Sequence, residues 1–413
     1  MLKRVKIQGY KSLVDVEVTL QPLTVLLGPN ASGKSNFLDA LQLLSGIATS
    51  ENLKDAFSPP YRGTPLESFF FGPDGIKGLL SQEKASFSIE VDVELSQSVV
   101  DTVNRQFQVA ESIKTTGEEN DIDSDLKVRL DSEKYLNYLI EIEIFPRTGI
   151  LQVANEKLTV SKVGGQPIYG LASSEPRDSS LLSKSPLFAR FPQLAAMREE
   201  LANWFFFYLE PRERMRIPTS VKEVRHIGLM GEELAAFLNT LHTLNEPQFR
   251  AVEKALHMII PSITGIDVSV NNYGEVELRL MQGQTPIPAR VLSEGTLRIL
   301  GLLALGGAKE PSSLLGFEEP ENGVHPDRLD LITLLLKTLA SNDTQVIVTT
   351  HSPTLLDLLP RESLYVCRQI NGKTIINPFF EWKVKGTKLN RNNTLDDEGI
   401  PVSEYILRGD FDA

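Results

Sequence analysis

Apolar and polar positions change period several times along this chain, and each change marks an element. The opening KRVKIQGYKSL and the VDVEVTL that follows alternate with period two, which predicts two strands around a turn. TVLLGPNASGKSNFLDALQLLSG then passes from an apolar strand through a glycine-rich loop into a helix. Phe37, Leu41 and Leu44 hold its helical spacing, and Gly46 reads as its C-terminal stop. Residues 51–80, with PPYRGTP and FFGPDG, read as loop-rich. Alternation resumes in SFSIEVDVEL, YLNYLIEIEIF and ILQVANEKLTV, predicting three further strands. Helical spacing over Leu181 to Ala202 leads into NWFFFYLEP, whose aromatic run from Trp204 to Tyr208 reads as a core strand. EELAAFLNTLHTL and EPQFRAVEKALHMII carry amphipathic helical stripes, and DVSVNN with EVELRLM reads as a hairpin. LRILGLLALGG predicts one more helix, and SLLGFEE and TQVIVTTHS predict two apolar strands that end on polar residues.

Composition narrows the class without naming it. The 413 residues are 41% apolar and 23% charged, ordinary for a globular protein of two or three domain-sized units. A net charge of −12 argues against a chain coated throughout for nucleic acid, but it leaves room for a local basic groove. Two segments could line one: Arg212, Arg214, Arg216, Lys222 and Arg225, and the tail EWKVKGTKLNRNN with Lys383, Lys385, Lys388 and Arg391. A solvated basic face accounts for either as well. A single cysteine, Cys367, cannot form an internal disulfide and reads as a buried thiol in a reducing compartment. No secretory h-region opens the chain, and no apolar run is long enough to span a bilayer, so a cytoplasmic protein without a membrane partner is expected. TTGEENDIDSDL begins like a calcium loop at Asp121, Asp123 and Asp125. It lacks the turn glycine and the closing glutamate, so a solvated acidic loop is expected.

Chemistry enters with GPNASGKS, residues 28–35, set between a predicted strand and a predicted helix. Gly28 and Gly33 let the backbone curl so that its N–H groups face a phosphate, and the helix N-terminus presents its positive end to the same anion. Lys34 would reach the β- and γ-phosphates and Ser35 would offer a hydroxyl to Mg²⁺. LSEGT, residues 292–296, opens the predicted helix LRILGLLALGG; alone, Ser293 there is an N-cap. Adjacent acids Glu318 and Glu319 close one apolar strand and His351 closes the next. Paired carboxylates at the end of a buried strand call for a counter-charge.

The order of phosphate loop, LSxG signature, acidic pair and histidine resembles the ATPase heads of the ABC type. GFEEPENGVHP, VTTHSP and the opening IQGYKSL look like the branch containing SMC, RecF and OLD proteins, and most of all like its stand-alone bacterial ATPases. The likeness is specific over residues 1–46 and 285–356 and general between them. It implies an α/β P-loop NTPase: an ABC-type head with a mainly parallel sheet, an antiparallel β layer and an inserted β and helical lid. The head would span 1–95 and 265–380, the inserted arm 96–264, and a tail 381–413. The cofactors implied are ATP and Mg²⁺. Gly28, Asn30, Ser32, Gly33, Lys34, Ser35 and Asn36 would line the nucleotide, with Lys11 close to it. Ser35 and Glu318 would hold the metal, Glu319 would polarise the attacking water, and His351 would sense the γ-phosphate. Ser293 and Gly295 would act in trans on nucleotide bound by a second copy. A glutamine on the metal side is expected in such heads, and Gln82 is the candidate here.

The resemblance implies a homodimer, with room for a higher oligomer, that closes on ATP. It would act in DNA repair or in defence against phage and plasmids, with DNA and a separate effector such as a nuclease as partners. A nucleotide-gated scaffold that binds no DNA is the alternative. A transporter motor fits poorly, because such subunits do not follow the acids with PENGVHP. An internal Toprim nuclease, which needs about 100 residues, does not fit in the stretch after His351.

Overall fold

The computed structural model describes residues 1–59, 61–114, 130, 133–161, 167–183, 188, 191–306, 312–340, 343–381 and 401–407. The acidic loop TTGEENDIDSDL and the four basic residues of the tail lie outside them. Strands are β1 (Leu2–Tyr10), β2 (Leu13–Thr19), β3 (Leu23–Leu27), β4 (Ala85–Glu94), β5 (Tyr135–Phe145), β6 (Ile150–Ser161), β7 (Pro167–Ser173) and β8 (Trp204–Phe207). They continue with β9 (Thr219–Ser220), β10 (Gly265–Val270), β11 (Glu275–Gln282), β12 (Thr285–Pro288), β13 (Leu314–Glu318), β14 (Gln345–Thr350), β15 (Leu364–Ile370) and β16 (Lys373–Pro378).

Two large sheets follow directly from the two kinds of hydrophobic pattern. The alternating segments build an antiparallel sheet in the order β2-β1-β4-β5-β6-β7, and in its central strands β4 and β5 every second residue lies on the buried face. The continuous apolar runs build the other sheet, β16-β15-β3-β14-β13-β8, parallel except for the β15–β16 hairpin. A strand buried on both faces needs no alternation, and β3 and β14 are buried at every position. Leu26, Leu314 and Ile347 face the core shared with the antiparallel sheet and the helix Lys34–Thr49. Val25, Leu315 and Val348 face a second core, against the helices of the C-terminal half. Each such side chain contributes roughly 1.5–3 kcal/mol when fully buried, so the sheet rather than its loops fixes where the site stands. A small sheet, β10-β11-β12 with β9 also on β11, packs beside the helix Leu234–Leu244.

From the segment 96–264, β5, β6 and β7 extend the antiparallel sheet and β8 joins the edge of the parallel one. The physical reason is edge satisfaction, since β4 and β13 would each leave a row of unpaired backbone groups without them. Gly46 does not stop its helix, which runs on to Thr49. Leu181 to Ala202 is not continuous helix: Leu181–Ser183 is a 3₁₀ turn, and the α-helix begins at Pro192, where proline suits a first turn.

Candidate active site

Strand register brings the chemistry to one edge. β3, β14 and β13 are parallel neighbours, with Leu27 opposite Thr350 and Thr349 opposite Glu318. Their C-terminal ends therefore release the phosphate loop, His351 and the acidic pair side by side, where open α/β sheets hold their ligands.

The loop is shaped to take an anion. Gly28 and Gly33 have φ of 155° and 99°, and Gly33 stands at the N-cap of the helix Lys34–Thr49 with no side chain capping it. The first N–H groups of that helix thus have no side-chain acceptor. Ser32 Oγ is buried and has no hydrogen-bond partner in the loop. Lys34 turns its ammonium onto the carbonyls of Gly28 and Pro29, at 2.8 and 2.9 Å. Burial lowers its pKa below the ordinary lysine value, against the opposing pull of Cys367, Glu319, Glu318 and Glu321. Asn30 is exposed on the loop.

Opposite the loop, Ser35 donates a hydrogen bond to Glu318 Oε1. Two hard oxygen donors so close suit Mg²⁺, which keeps waters and substrate oxygens for the rest of its shell. Among the described residues no group of three His, Cys, Asp or Glu side chains could hold a metal by itself. Glu319 has left-handed backbone, φ 47°, unusual for a residue with a side chain. Its N–H donates to the Thr349 carbonyl at 2.9 Å, and its carboxylate lies 3.0 Å from His351 Nδ1. Acid and histidine are therefore in direct contact.

Several residues that bear on the site escaped the sequence reading. Arg62 bridges two elements: it pairs with Asp39 at 2.8 Å and with Glu318 Oε2 at 2.9 Å. Burial works against its charge, but Asp39 and Glu318 outweigh that and raise its pKa. Lys11 pairs with the same Asp39 at 2.8 Å, so it is tied to the helix after the loop. It also lines a cavity of about 940 Å³ beside the loop, with Ser12, Asn36, Phe69, Phe71 and Lys373. A directed chain of hydrogen bonds braces the loop from outside. Asn36 donates to Ser12 at 2.8 Å, Ser12 meets Thr374 at 2.7 Å, and the Thr374 hydroxyl donates to the Ser32 carbonyl at 3.0 Å. The sequence signal for Ser12 was its place in IQGYKSL; nothing local marks Thr374.

The signature segment sits on the acidic loop of its own chain. Ser293 caps the helix Glu294–Leu305 by accepting from Thr296 N, and Gly295 lies against the Gly323 carbonyl, where a Cβ would be driven into it. Gln82 is exposed and lines a separate cleft with Phe145, Arg147 and Thr148. His325 caps the short turn Pro326–Arg328. Cys367 is fully buried, its carbonyl pressed on Gly28, and burial pushes its thiol up to about 12.

The family model described as "AAA domain, putative AbiEii toxin, Type IV TA system" matches residues 23–357. An ATP/GTP phosphatase of Helicobacter pylori is 21% identical over 369 residues, covering 87% of each chain. The Old nuclease of Escherichia phage P2 is 22% identical, over 98% of this chain and 67% of that protein. Among solved structures, an SMC head bound to the C-winged helix domain of ScpA superposes with a TM-score of 0.52 at 14% identity. That likeness spans 91% of this chain and 97% of the head, and it is one of fold.

Proposed function

The chain belongs to the AAA-domain family whose model spans residues 23–357 and is an ATPase of the SMC and OLD type; from that premise we propose that it hydrolyses ATP with Mg²⁺ in a head-to-head dimer. The observation that carries this is the meeting of Lys34, Ser35, Glu318 and the Glu319–His351 pair at one sheet edge. Mg²⁺, when bound, supplies charge neutralisation for the phosphates. The loop N–H groups and Lys34 hold the phosphate chain, and Ser35 and Glu318 hold the metal. Glu319 accepts a proton from water at its carboxylate, and His351 keeps that carboxylate aimed. The cavity beside Lys11, Ser12 and Phe69 has room and aromatic walls for the base. Positioning and electrostatics account for most of the rate in such chemistry.

Two variants test it. Lys34→Ala should abolish binding of a fluorescent ATP analogue. Glu319→Gln should bind within about twofold of the parent and lose at least about 100-fold in phosphate release, typical for removal of a general base. Normal turnover by Glu319→Gln would mean that the base is another group.

In the cell, the dimer acts in DNA repair or in defence against phage and plasmids, passing its nucleotide state to a separate effector such as a nuclease. One observation favours the scaffold reading instead. Within the Arg212–Arg225 run, Arg212 faces Glu294, Arg214 faces Glu210, Lys222 faces Glu233 and Arg225 faces Glu223. Arg216 is spent on the Leu292 carbonyl. Positive charge so matched offers little to a phosphate backbone. Duplex DNA that raises phosphate release in low salt supports action on DNA. No stimulation and no binding there supports a scaffold.

A further inference from the structure

The helix Glu294–Leu305, which begins at the signature, meets the acidic loop at two points. At the first, Gly295 and Gly323 touch backbone to backbone. At the second, Arg298, one turn further along, sends its guanidinium inward and donates from Nη1 to the Glu319 carbonyl at 3.4 Å. Arg298 is 8% exposed, its Nε is buried without a partner, and among the described residues its side chain's hydrogen bond is the one to the Glu319 carbonyl. Glu321 lies in the same loop with its side chain equally buried; its Oε1 accepts from Thr350 and its Oε2 is unpartnered. A buried guanidinium that makes one long hydrogen bond is expensive to keep if its task is only packing. The peptide it touches is the strained one, since Glu319 holds a left-handed backbone that needs its surroundings to hold it there.

We propose that Arg298 is a positioning residue that ties the signature helix to the aim of the Glu319 carboxylate. The chain of contacts runs from the helix through Arg298 to the Glu319 carbonyl, and from the Glu319 carboxylate to His351. The Thr349 carbonyl fixes the N–H side of the same residue. Glu319 is thus gripped on both sides of its Cα, at its N–H from the strand β14 and at its carbonyl from the helix. Only the second can move when a ligand or a second copy engages the exposed Ser293. Movement of the helix then alters the φ of Glu319 and swings its carboxylate toward or away from His351. Arg298 itself touches no reacting atom.

This inference rests on the ATPase reading for its purpose, but its geometry can be read without turnover. The chain has five histidines, so selective ring labelling gives few signals, and His351→Gln assigns the one that matters. Arg298→Met should move the His351 ring resonance toward its position in Glu319→Gln, while nucleotide affinity stays within about twofold. Phosphate release should fall about tenfold, the signature of an interaction used only in the transition state. Arg298→Lys keeps the charge and the stem, so it guards against a Met variant that fails to fold; it should give a shift of the same sign and smaller size. An unmoved His351 resonance in a folded Arg298 variant overturns the coupling, whether or not the protein hydrolyses ATP. Absent phosphate release from the parent protein would instead count against the ATPase reading, and the resonance would still decide on Arg298.

Discussion

Glu321 shows what a single buried acid does to this site. Burial raises its carboxyl pKa above the ordinary value and Glu319 adds to the rise, while Thr350 and His351 oppose it. The folded protein therefore binds that proton more tightly than the unfolded chain does. Stability from this group is complete below the unfolded carboxylate pKa and is lost as pH climbs through the raised one. Glu321→Gln keeps the shape and a hydrogen-bonding side chain but cannot ionise. Its urea midpoint should gain on the parent's between pH 4 and pH 8. An equal difference at both pH values would mean that Glu321 does not titrate in the folded state. Nothing in PENGVHP foretold this role, because burial of one acid among three is decided by the fold around it.

At the scale of elements, the phosphate loop is held from outside by a hairpin far away in sequence. Gly33 has φ 99°, and a Cβ there would be driven into the Thr374 side chain on β16. Gly33→Ala should therefore lose about 1–3 kcal/mol of unfolding free energy, from left-handed strain plus the clash. Chemical denaturation measures it, and a loss under about 0.5 kcal/mol, the range of ordinary surface changes, would show that the hairpin yields. The elements that position the site were legible because their signals are local: Val25–Leu27 and Val346–Val348 are unbroken apolar runs, and GPNASGKS sits between strand and helix. Thr374, Arg62 and Arg298 were not legible. Each acts across a contact between distant segments, and their own neighbourhoods carry no period or motif. The aromatic run Trp204 to Tyr208 was read as core strand; the strand takes in Trp204–Phe207, and its seat at the edge of the parallel sheet depends on pairing with β13. No local pattern encodes a partner.

For the whole molecule, the signature has duties within its own chain, so its action on a second copy needs a test that separates the two. Ser293 caps its own helix and is exposed, while Lys34 is buried in the loop. In a head-to-head dimer each site would join the loop of one copy to the signature of the other, an isologous arrangement. Lys34→Ala disables a loop and spares the signature; Ser293→Arg blocks the signature and spares the loop. Each variant alone should be inactive. In a mixed dimer both lesions fall in one site and the other site is whole. Random pairing in equal amounts makes about half the dimers mixed, each with one good site, so about a quarter of the parental rate should return. Ser293→Arg also removes an N-cap, which costs about 1 kcal/mol, so its melting curve must be taken beside the assay. Mixed protein that stays inactive, with both variants folded, would mean that loop and signature serve the same copy.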